Sequence, residues 1–122
     1  RMKSFAVRTK FIDKEAVKID KEGKINQCLE EDGVALCNIL LTKREEHYLM
    51  ITDIDDQWIY CFDSYRRFSV RGMQKNVEVL ESQDGRGANI RIRQDWFNQK
   101  LNERFCLGPL DIRESLLIWR IS

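Results

Sequence analysis

Residues 46–65, EHYLMITDIDDQWIYCFDSY, read as two apolar strands joined by a short acidic turn. The only histidine of the chain, His47, opens the first strand, and Asp63 closes the second. Side chains in strands alternate between faces, so an even separation along a hairpin can place both residues on one face. A loop over residues 53–57 sets Ile51 opposite Ile59, Leu49 opposite Cys61 and His47 opposite Asp63, with opposed Cβ atoms about 4.5–5.5 Å apart. A two- or four-residue loop would send them to opposite faces. On the same face, the carboxylate holds the imidazole in one tautomer, which is the supporting half of a nucleophile, base and orienting-acid triad.

Upstream, residues 34–41 (VALCNILL) are continuously apolar and of strand length, which predicts a central strand covered on both faces. Residues 5–12 alternate as a strand, and residues 13–20 suggest a short helix with Asp13 as N-cap. Ile25, Cys28 and Leu29 have the spacing of a core-facing helix over residues 25–31, closed by Asp32-Gly33.

Downstream, residues 64–75 are basic and aperiodic, so Arg66, Arg67 and Arg71 read as a solvated surface rather than a substrate contact. Residues 76–82 form a further strand and QDGRGAN (83–89) a turn whose glycines lack the spacing of a phosphate-binding loop. Trp96, Phe97 and Leu101 share one face of a helix over residues 93–102. Pro109, the single proline, breaks the chain before a terminal strand over residues 114–121. The expected fold is α+β, an antiparallel sheet with a few short helices in one domain.

The 122 residues suffice for one core, and 43% hydrophobic with 34% charged residues is the balance of a globular protein. A net charge of +1 offers no field for nucleic acid or an anionic membrane, and neither is expected as a partner. No apolar run reaches the length of a membrane span, and the N-terminus lacks the apolar stretch of a signal peptide, so a cytoplasmic location is expected. Four cysteines without C-x-x-C spacing and one histidine make no metal motif; buried free thiols are expected, with no metal and no cofactor.

Residues 24–65, KINQCLEEDGVALCNILLTKREEHYLMITDIDDQWIYCFDSY, resemble the second half of bacterial papain-like cysteine peptidases of the bacteriocin-leader-processing, double-glycine type. The resemblance implies a helix and turn leading into a strand, then His47 as general base and acid and Asp63 as its orienting group. The substrate it implies is a peptide or other acyl compound. Asp63 is followed by Ser64 where the family usually has proline. The family's nucleophile lies on a helix well upstream of the histidine, which implies a cysteine before residue 1 or on a second chain, the chain being the C-terminal sheet half of a larger domain. Cys28, preceded by Gln27, is the candidate within this segment.

The run around His47 is also similar to ubiquitin-like-protein proteases and the adenoviral proteinase, in which Gln99 and Cys106 would follow in the right order. Leu107 before Gly108, and then Pro109, depart from that pattern. A third reading is a catalytically inactive interaction or regulatory domain. The readings differ in geometry. The permuted arrangement needs Cys106 Sγ within about 4 Å of an imidazole nitrogen, whereas the papain-like one needs all four thiols away from it and the sheet face beside His47 open to a helix bearing the cysteine. A His47 face sealed by core side chains, with no thiol near, leaves the interaction domain.

Overall fold

The computed structural model describes residues 6–42, 45–63, 72–73, 75–80 and 87–121. Strands β1 (Val7–Asp13), β2 (Val34–Leu40), β3 (Glu46–Ile54), β4 (Trp58–Phe62), β5 (Val77–Val79), β6 (Ile90–Arg93) and β7 (Glu114–Arg120) are joined by helices α1 (Lys24–Glu30) and α2 (Gln94–Phe97). Short 3-10 turns occupy Lys14–Ala16 and Leu110–Ile112. The strands form one sheet in the order β1-β7-β2-β3-β4-β6-β5, with every neighbouring pair antiparallel. It is a mainly antiparallel sheet with two short helices. No helix among the described residues is long and apolar enough to cross a membrane.

The meander β2-β3-β4 is where the apolar runs place it, since each strand alternates buried residues against one core. Ala35, Cys37 and Ile39 of β2, Leu49 and Ile51 of β3, and Ile59 and Cys61 of β4 are all buried on one face. Helix α1 covers that face, burying Ile25 and Cys28 against β2, β3 and β7. The other face is only partly covered. Val34 and Leu36 of β2 keep some exposure, so the expectation of a strand sealed on both sides holds for its second half alone.

Helix α1 ends where Asp32 adopts φ +62° and the Gly33 N–H returns 2.8 Å to the Cys28 carbonyl. A Cβ on Gly33 would lie 2.5 Å from Cys28 Sγ, 2.7 Å from the Ile118 carbonyl oxygen and 2.9 Å from that of Cys28. Two of these neighbours are backbone, in α1 and β7, and cannot swing aside. Gly33→Ala is therefore expected to cost about 3 kcal/mol of stability by overpacking, read as a lower urea midpoint. A cost under about 1 kcal/mol would show that α1 can lift from β7 freely.

Several elements differ from the sequence reading. The helix expected over residues 13–20 is absent: β1 runs to Asp13, Lys14 takes φ +52°, and only the turn Lys14–Ala16 follows. Val17 and Ile19 are buried two apart, in an extended segment whose Ile19 backbone is bracketed by the Asn98 side-chain amide at 2.8 and 2.9 Å. The helix over residues 93–102 shrinks to Gln94–Phe97, and Leu101 is exposed. Strand β6 was not foreseen, although Ile90 and Ile92 alternate with Arg91 and Arg93. Strand β7 enters between β1 and β2. The basic stretch with Arg66, Arg67 and Arg71 lies outside the described residues, as do residues 81–86 of the strand end and turn.

Arg113, just before β7, is buried and ties the irregular segments together. Its guanidinium donates to the carbonyls of Gly108, Val17 and Asn98 at 2.8 Å each and of Gln99 at 3.2 Å.

Candidate functional site

His47 and Asp63 share the core-side face of the sheet, by a route other than the expected one. The turn begins at Asp55, whose Oδ1 accepts from the Gln57 and Trp58 N–H groups at 2.9 and 2.8 Å. Pairing of Ile54 with Ile59 leaves residues 55–58 as a four-residue loop, not the five-residue loop over residues 53–57. By itself that loop would put His47 and Asp63 on opposite faces. A bulge between Ile51 and Asp53 corrects the parity: three steps along β3 match two along β4, so Ile51 pairs with Cys61. His47, four residues before Ile51, and Asp63, two after Cys61, thus point to the same side.

The two are diagonal neighbours rather than directly opposed, because the observed register carries Leu49 toward Asp63. A diagonal separation of about 7–8 Å is within reach of an imidazole and a carboxylate. His47 Nε2 and Asp63 Oδ1 are 2.8 Å apart. The Asp63 side chain is 1% exposed and the His47 side chain 26%, so the acid is inside and the base faces outward. A carboxylate only accepts, so Nε2 carries the hydrogen and Nδ1 is the acceptor nitrogen of this tautomer.

A residue that the sequence reading missed holds the acid in place. The Asn89 side chain makes both halves of a main-chain bridge with Asp63: Oδ1 accepts the Asp63 N–H at 2.9 Å, and Nδ2 donates to the Asp63 carbonyl at 2.6 Å. The Asn89 N–H adds a bond to the Cys61 carbonyl at 2.9 Å. The end of β4 is fixed there, two residues past the last pair with β6, Cys61 with Ile90. Only the unforeseen strand β6 brings Asn89 to Asp63, and no local motif signals it.

The four cysteines are free and buried. Cys28 Sγ lies 3.5 Å from the Val34 carbonyl oxygen and 3.9 Å from that of Ile118. Cys37 donates to Ser115 Oγ at 3.4 Å, since the Ser115 hydrogen goes to the Leu36 carbonyl. Cys106 donates to the carbonyls of Glu103 and Leu101 at 3.0 and 3.3 Å. Burial raises all four thiol pKa values, Cys37 to about 12. Neither Cys106 nor Cys28 therefore meets the requirement of a thiol bonded to the imidazole: each spends its hydrogen on main-chain carbonyls. Among the described residues no group of histidine, cysteine and acidic side chains is arranged to hold a metal.

Folded protein at pH 8 is expected to leave all four thiols unlabelled by iodoacetamide, whereas urea-unfolded protein takes up four groups, as read by intact mass. Raised thiol pKa values favour the protonated folded form. For Cys37 that contribution to stability is complete below its ordinary value of 9.0 and is lost as pH climbs toward about 12. Rapid labelling of any thiol at neutral pH would contradict the burial.

Comparison of the chain with protein-family models, with curated proteins and with solved structures finds no match.

Proposed function

We propose that the chain is the histidine- and aspartate-bearing half of a papain-like cysteine-dependent hydrolase, a peptidase or related acyl transferase. The nucleophilic cysteine comes from a segment before residue 1 or from a second chain. The observation that carries this reading is the 2.8 Å contact from a partly exposed imidazole to a carboxylate held inside the sheet. In this mechanism His47 Nδ1 takes the proton of the thiol, and the thiolate attacks the acyl carbon of a peptide or related substrate. The imidazolium returns the proton to the leaving amine, and water or another amine releases the acyl group from sulfur. Asp63 keeps the ring oriented and stabilises its charged form. The proposed setting is the cytoplasm, where free thiols stay reduced.

A second reading, a catalytically inactive interaction module, is favoured by the burial of every thiol in the chain. The permuted arrangement with Cys106 as nucleophile is disfavoured by that thiol's bonds to the Leu101 and Glu103 carbonyls. The test is alkylation of the protein as its own cells make it, with a biotinylated iodoacetamide at pH 7 and mass spectrometry of the modified site. A cysteine outside residues 1–122 whose labelling slows by about 100-fold in His47→Ala supports the hydrolase. If no thiol responds to His47→Ala, the hydrolase reading falls and the interaction module stands.

A further inference from the structure

The sheet face turned away from α1 carries an apolar row where an uncovered antiparallel face is ordinarily polar. Phe11 of β1 pairs with Leu116 of β7, Leu116 with Leu36 of β2, Leu36 with Met50 of β3, and Met50 with Phe62 of β4. These five side chains lie in register across five adjacent strands. Phe11 is 57% exposed, and the other four remain partly exposed. Ile118 and Val34, paired with each other and also partly exposed, widen the row on one side.

The other side is acidic. Asp13 and Glu114 pair two positions along from Phe11 and Leu116. A cleft of about 280 Å³ there is lined by four carboxylates, Asp13, Glu46, Asp111 and Glu114, against two cations, the exposed Lys14 and the buried Arg113, whose guanidinium is committed to main-chain carbonyls. Tyr48, at the edge of this group, bonds Glu114, and its pKa is raised to about 12, chiefly by that hydrogen bond. The arginines on this face of β6 lie beyond the row, Arg91 bonded to Glu78 and Arg93 set over Trp58.

We propose that this face docks an amphipathic helix of another protein, with apolar residues toward the row and lysine or arginine along the flank that meets the acidic cleft. The dimensions agree: five strands about 4.8 Å apart make a row about 19 Å long, the length of roughly 13 helical residues. Apolar side chains in register supply burial, and the carboxylates set the direction and the charge of the partner. A second copy of this chain is a poor occupant, because face-to-face pairing would bring carboxylates against each other, and an anionic membrane is repelled for the same reason. The proposal does not depend on the hydrolase reading.

The probe is a synthetic helical peptide of about 14 residues with leucine at i, i+3, i+4 and i+7 and lysine elsewhere. It is titrated calorimetrically into the protein beside a scrambled peptide of equal composition and a leucine–glutamate version. The expected result is micromolar binding of the first and at least ~10-fold weaker binding of the other two. Phe11→Ser and the pair Asp13→Asn with Asp111→Asn, all at exposed positions, are each expected to weaken it several-fold. Equal binding of the scrambled peptide, no effect of these variants, no binding of the helical peptide, or capture by neutral phosphatidylcholine vesicles in its place would each overturn the proposal.

Discussion

Arg113→Met is expected to lower the free energy of unfolding by about 4 kcal/mol, a large part of the roughly 5–15 kcal/mol that holds a domain of this size together. The guanidinium serves four main-chain carbonyls, those of Gly108, Val17, Asn98 and Gln99, from three separate stretches of irregular chain. A methionine fills the space and donates nothing, so each carbonyl loses a charge-assisted partner in a place where water reaches poorly. One such acceptor left alone costs about 1–3 kcal/mol, and the four are not additive because the Gln99 carbonyl keeps the Gly108 N–H at 3.0 Å and Asn98 can take water. Arg113→Lys keeps the charge but not the planar fork, and it is expected to recover less than half of the loss. Urea denaturation followed by tryptophan fluorescence measures both. A loss under about 1 kcal/mol in Arg113→Met would mean that the segments around Val17 and Gly108 hold by packing alone.

Asp63→Ala is expected to leave the sheet folded and to disable the site. The main-chain bridge from Asn89 does not involve the carboxylate, so the end of β4 keeps its anchor. His47 loses the acceptor of its Nε2 hydrogen and, with it, the orientation that directs Nδ1. Any His47-dependent acyl transfer or thiol labelling should fall by roughly 10²–10⁴-fold. His47→Ala should cost a similar factor, and the double variant little more, because the two residues act as one unit. A second readout needs no substrate. His47 is the only histidine, so its imidazole resonances are unambiguous. The bonded Nε2 proton should appear far downfield in the unaltered protein and vanish in Asp63→Ala, while Asn89→Ala should shift it by loosening the acid's backbone. If no such signal exists in the unaltered protein, the contact is absent in solution and the site reading fails.

The meander around the candidate site was legible because its signals are local. Apolar runs at residues 34–41 and 46–65, divided by polar turns, specify strands β2, β3 and β4 and their antiparallel order. One histidine and one aspartate at their ends mark where a polar pair can sit. The even spacing of His47 and Asp63 was a correct pointer reached through an incorrect loop. Asp55 caps a four-residue turn, and the bulge between Ile51 and Asp53 restores the parity. Those two departures cancel only in three dimensions, where burial of Leu49, Ile51 and Cys61 on one face forces the register.

What the sequence by itself determined is therefore the alternating core of the sheet, the helix α1 with its glycine-dependent end, and the placing of His47 and Asp63 at strand ends where their side chains meet. The tertiary structure alone decided the rest. It places β7 between β1 and β2, lets the Asn98 side chain and Arg113 replace the helix expected over residues 13–20, and brings Asn89 against Asp63. The physical reason is common to these cases. Each rests on hydrogen bonds or packing between residues far apart in the chain, and propensity and periodicity carry information only about near neighbours.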